Sequence, residues 1–111
     1  MIRSANRMRL KPGGYAEYRR HHDEIWPELV AEMERQGIRQ VTIFYLEPDL
    51  FLYAESTDEG AWIRMLATDV QHRWTRLMVN FLEQNPDGSA LVLPLEEIFH
   101  LITEDTTPSE P

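Results

Sequence analysis

The sequence predicts an α+β fold in one domain: a single antiparallel sheet with helices packed on one face. Three observations predict it. Apolar residues recur at every second position in some stretches and at every third or fourth in others, the periods of strand and helix. Glycine and proline clusters fall where the period changes. The chain has 111 residues, 42% of them hydrophobic, which suits one core, because domains commonly run to about 100–150 residues. No internal repeat and no long linker divides it.

Residues 1–10 alternate, with Ile2, Met8 and Leu10 on one face and Arg3, Arg7 and Arg9 on the other. That is a half-buried strand, whose arginine face is of the kind usually solvated or paired with carboxylates. Lys11-Pro12-Gly13-Gly14 ends it. From 15 to 36 the apolar stripe Tyr15, Tyr18, His22, Ile25, Trp26, Leu29, Val30, Met33 has helical spacing. Pro27 breaks that helix at Trp26, since proline removes a backbone donor and disfavours helical geometry in the residue before it. Gly37 is the C-terminal stop.

Residues 40–46 and 50–55 are rich in β-branched and aromatic side chains and flank Glu47-Pro48-Asp49, a hairpin. Ser56-x-x-Glu59 and Thr68-x-x-Gln71 match the helix capping box. The first should start a short helix with Trp62, Met65 and Leu66. The second should start a longer one with Val70, Trp74, Leu77, Met78 and Phe81 inward. Residues 93–102 alternate again and read as a last strand. The order is the ferredoxin-like βαββαβ plan, spanning residues 1–102. Residues 103–111 are an acidic tail with two prolines, expected to be disordered. Large apolar residues of both parities in the hairpin leave the sheet's second face in need of a cover, which a sheet-to-sheet homodimer would supply.

Composition narrows the function. With 19 acidic against 11 basic residues the net charge is −8, which argues against a nucleic-acid partner. No apolar run approaches the roughly 20 residues that span a bilayer. The first ten residues lack the apolar core of a secretion signal. A soluble, cytoplasmic domain is expected. The absence of cysteine removes thiolate metal sites and cysteine nucleophiles.

The densest chemical signal is Tyr18-Arg19-Arg20-His21-His22-Asp23-Glu24-Ile25-Trp26-Pro27. Tyr18 and His22 stack four residues apart on one helix face. An imidazole inside an apolar stripe is either a satisfied core histidine or an acid–base group working near neutral pH. His21 points elsewhere, and no histidine–carboxylate spacing suits a metal. Trp74 is core by habit, yet a tryptophan face also suits the C–H face of a sugar. Trp62 reads as core.

In order along the chain, Met1-Ile2-Arg3, Glu17-Tyr18-x-x-x-His22-x-x-Ile25-Trp26-Pro27-Glu28-Leu29, Thr68-Asp69-Val70-x-x-Arg73-Trp74, Asn85-Pro86-Asp87 and Leu95-Glu96-Glu97-Ile98-Phe99 resemble the L-rhamnose mutarotase family. The resemblance implies a dimeric α+β barrel that interconverts the anomers of a 6-deoxy monosaccharide with no cofactor. It implies that His22 is the proton donor and that Tyr18 and Trp74 contact the sugar. Val41 and Thr75 depart from the family, which has a tyrosine and a second tryptophan there. That opens the substrate to another sugar such as L-fucose. A small monooxygenase on the same plan, or a non-catalytic sugar-binding domain, is the alternative.

Overall fold

The computed structural model describes residues 1–103. Apart from Thr103, the tail expected to be disordered lies outside the described residues. The elements are β1 (Ile2–Arg9), α1 (Tyr15–Asp23), α2 (Pro27–Gln36), β2 (Ile38–Leu46), β3 (Asp49–Ser56), α3 (Ala61–Leu66), α4 (Asp69–Met78) and β4 (Leu93–Leu95), with a 3-10 turn at Val79–Phe81 after α4. The sheet order is β2-β3-β1-β4 and every pairing is antiparallel. This is the ferredoxin-like arrangement.

The Trp26–Pro27 break divides the first helical stretch as its sequence dictates. Trp26 is extended (φ −65°, ψ 126°) and Pro27 opens α2, where its missing N–H costs nothing. The break also resets the helical phase. Leu29 is fully buried while Val30, part of the same stripe in the sequence, is 48% exposed. Gly37 ends α2 in the left-handed region, φ 96°. A Cβ there would lie 2.4 Å from the Thr57 hydroxyl, so glycine is required on both counts.

Side chains directly opposite in a ladder share a face. Met8 opposes Leu50, Leu50 opposes Tyr45, and Leu52 opposes Ile43, and this face meets the helices. Met8, Leu10, Ile38 and Leu50 join Tyr18, Leu29, Met65, Val70, Trp74 and Met78 in one core. The opposite face carries the arginines, all paired: Arg3 with Glu97, Arg7 with Asp49, and Arg9 with Asp49 and Glu83.

Two sequence expectations need correction. The last strand is only Leu93–Leu95, because among the described residues β1 is its sole neighbour and their pairing ends at Ala5–Leu95. Residues 96–102 keep the alternation of a strand without a ladder partner. The start of α3 is held by Asp58, not by the Ser56–Glu59 box: its carboxylate accepts from the Gly60 N–H at 2.8 Å and pairs with Arg64.

Candidate active site

The ladder face and the helices enclose a cavity of about 640 Å³, within the range of roughly 300–1,000 Å³ usual for small-molecule sites. Its walls are Tyr15, Tyr18, Arg19 and His22 from α1, Ile25 from the turn that follows, Met33 from α2, Val41, Ile43 and Tyr45 from β2, Leu50 and Leu52 from β3, Trp62 from α3, and Gln71 and Trp74 from α4.

The three residues singled out from sequence meet here. Tyr18 and His22, one turn apart on α1, have ring centroids 4.4 Å apart. Trp74, from α4, makes T-shaped contacts with His22 at 5.2 Å and with Trp26 at 5.1 Å. Trp26 reaches this corner because the extended residue before Pro27 turns its side chain out of helical phase. The Arg73 guanidinium lies 5.5 Å from the Trp26 ring, a cation–π contact, and is itself held by Asp69 and Glu28.

His22 has a defined tautomer. Its Nδ1 lies 2.8 Å from the Tyr18 carbonyl oxygen. A carbonyl only accepts, so Nδ1 carries the proton and donates it. In the neutral ring Nε2 then holds a lone pair. Burial pushes the His22 imidazole below its ordinary value, with the Tyr18 carbonyl acting in the opposite direction, and the resting ring at neutral pH is neutral. The Tyr18 hydroxyl is pushed up to about 12 by burial, so it remains a hydrogen-bond donor.

Several wall residues escaped the sequence reading as site residues. Trp62, read as core, is half-buried and lines the cavity. Tyr15 stacks on Tyr45 with centroids 3.9 Å apart and accepts a hydrogen bond from Arg19 at 2.9 Å, forming one wall. Gln71 was read only as a capping partner. Its signal was a polar residue three before Trp74 and seven before Met78, on the apolar face of α4. Asp69 pairs with Arg73 and Asn85 bonds to Ser89 and the Ala90 carbonyl. His21 stacks on Phe81 at 5.6 Å. Among the described residues no group of three or more histidines and carboxylates could hold a metal ion. None of their helices is long and apolar enough to cross a membrane.

A ferredoxin-like sheet roofed by helices, an aromatic-walled cavity and one half-buried imidazole with a free nitrogen define a small acid–base site. A family model described as L-rhamnose mutarotase matches residues 3–101. The L-rhamnose mutarotase of Tolumonas auensis is 39% identical over 104 residues, covering 91% of this chain and 99% of that protein. The crystal structure of an L-rhamnose mutarotase from Formosa agariphila superposes with a TM-score of 0.78 at 29% identity, covering 92% of this chain and all of that one. The chain belongs to the L-rhamnose mutarotase family, and mutarotases are isomerases that exchange sugar anomers. A cofactor-independent oxygenase from Streptomyces nogalater matches with a TM-score of 0.63 at 16% identity over 89% of this chain and 94% of that one, a likeness of fold alone.

Proposed function

We propose that this chain interconverts the α and β anomers of L-rhamnose, with His22 as its acid–base group and Tyr18 and Trp74 contacting the sugar. The observation that carries the reading is the bare Nε2 of His22, held between Tyr18 and Trp74 by the bond from Nδ1 to the Tyr18 carbonyl. Mutarotation must take the proton from the anomeric hydroxyl, break the bond from C1 to the ring oxygen and protonate that oxygen. Neutral His22 accepts the first proton at Nε2. As imidazolium it donates the same proton to the ring oxygen, and the pyranose opens to the aldehyde. Rotation about the C1–C2 bond and the reverse transfers close the ring on the other face. Both oxygens are bonded to C1, so one nitrogen serves both. The role of proton donor that the family resemblance implies for His22 is the second half of this cycle. A positioned acid–base group of this kind is worth about 10²–10⁴-fold. The indole of Trp74 suits the C–H face of the ring, and Ile43, Leu52 and Met33 suit the 6-methyl group.

The test is saturation-transfer NMR of anomer exchange with L-rhamnose, L-fucose and D-glucose. The largest acceleration is expected for L-rhamnose. A larger one for L-fucose would assign the departures at Val41 and Thr75 to a changed substrate. No acceleration on any sugar would defeat the reading and leave a sugar-binding domain.

We propose too that the chain works as a homodimer in the cytoplasm, joined through the sheet's open face. Ala5 opposes Tyr53 and Leu95, and Phe44 opposes Phe51, so these share the face turned from the helices. Phe44 is 64% exposed, and beyond β4 Ile98 and Phe99 are 89% and 78% exposed. Apolar surface of this extent marks an interface, and a two-fold symmetric dimer is the commonest way to cover it. Sedimentation is expected to give twice the chain mass for the wild type and a shift toward monomer for Phe44→Asp. A wild type that sediments as monomer at micromolar concentration would exclude the dimer.

A further inference from the structure

We infer that Gln71 is a specificity-determining residue of the cavity, its free amide oxygen recognising one ring hydroxyl of the bound sugar. The inference rests on the sugar-isomerase reading above and deepens it. Gln71 is 8% exposed and lines the cavity. Its Nε2 donates to the Thr75 hydroxyl one turn on, at 3.1 Å. Its Oε1 is buried with no hydrogen-bond partner among the described residues. A buried amide oxygen left unpaired is costly, and groups in that state call for a reason.

Helix capping is not the reason. In a full capping box the Gln71 side chain would reach back to the Thr68 N–H. Here the Thr68 N–H bonds the Met65 carbonyl at 3.0 Å, and only the other half of the box is made, the Gln71 N–H donating to the Thr68 hydroxyl at 3.4 Å. The side chain is left to Thr75, which fixes the amide by its nitrogen end and leaves the oxygen without a mate. The departure at Thr75 thereby gains a role: its hydroxyl braces Gln71. A sugar hydroxyl donates and accepts, so it pairs with the free end of the amide in either orientation. Binding the hydroxyl satisfies the orphan, and an analogue without it leaves the orphan buried, which is how a polar site rejects a deoxy substrate.

The experiment compares wild type and Gln71→Met, which keeps length and burial without the amide, on L-rhamnose and its 2-, 3- and 4-deoxy analogues. Anomer exchange gives kcat/KM, and calorimetry gives Kd on the same sugars, so the inference is tested even where no exchange is seen. Absence of exchange in the wild type would count against the isomerase reading alone. Gln71→Met is expected to lose about tenfold or more on L-rhamnose. One deoxy analogue should be handled equally by both proteins, while the other two keep the loss. Thermal stability should hold or rise, because an unpaired buried group is gone. Loss by one common factor on every sugar, or no loss at all, would overturn the inference. A lowered Tm with uniform loss would assign Gln71 to packing.

Discussion

His22→Ala is expected to slow anomer exchange by about 10²–10⁴-fold while the fold survives. The ring is half-buried at the cavity wall and its main partners are the Tyr18 carbonyl, the Tyr18 ring and the edge of Trp74. Removing it takes away a proton carrier and little of the core. The pH profile gives the sign. Catalysis begins with the neutral ring, and burial holds the His22 imidazole below its ordinary value of 6.5. The rate should therefore be flat from neutral pH upward and should fall as pH drops through the lowered value. Tyr18, pushed up to about 12, adds no alkaline limb near neutrality. Saturation-transfer NMR on both proteins across pH checks this. Equal rates in the two proteins would remove His22 from the chemistry, and a rate that rose on acidification would make imidazolium the resting form.

The element order was legible because its signals are local. The helical stripe, the Pro27 break and the Gly37 stop each act within a turn or two of chain. The end of β4 was not, since alternation at residues 96–102 says that a segment can pair but not whether a neighbour is there to pair with. Asp58 displaced the Ser56 box for a related reason: several side chains near one helix start can cap it, and Arg64 decides among them by holding Asp58.

The site divides in the same way. Tyr18 and His22 are one turn apart, so their meeting follows from helix geometry. Trp74 joins them only through the packing of α4 against the first helical pair, and spacing could not tell its core role from a site role. Its membership came from the family resemblance. Gln71 was hidden because a capping box explained it. The structure leaves half that box unmade and the amide oxygen without a partner.

Trp74→Ala is expected to cost about 3–5 kcal/mol of stability, the usual range for emptying a buried tryptophan site. The ring is 7% exposed and supports two neighbours, His22 and Trp26, each in a T-shaped contact. Its loss opens a cavity into the existing one, so the surroundings cannot close over it. The urea midpoint should fall by about 1 M or more at fixed protein concentration, with concentration held because a dimer's apparent stability depends on it. Exchange should fall as well, but an unfolding variant cannot separate the two roles. Trp74→Phe can. A six-membered ring keeps most of the buried area and should recover more than half of the stability, yet it is too small to meet both His22 and Trp26. The imidazole then loses the edge that fixes its plane, and catalytic groups displaced by even ~1 Å forfeit much of their rate. A Trp74→Phe protein that is nearly as stable as wild type but clearly slower would place the indole in the site, a lower kcat at unchanged KM assigning it to the orientation of His22 and a raised KM to contact with the sugar. One that is equally fast would confine Trp74 to the core.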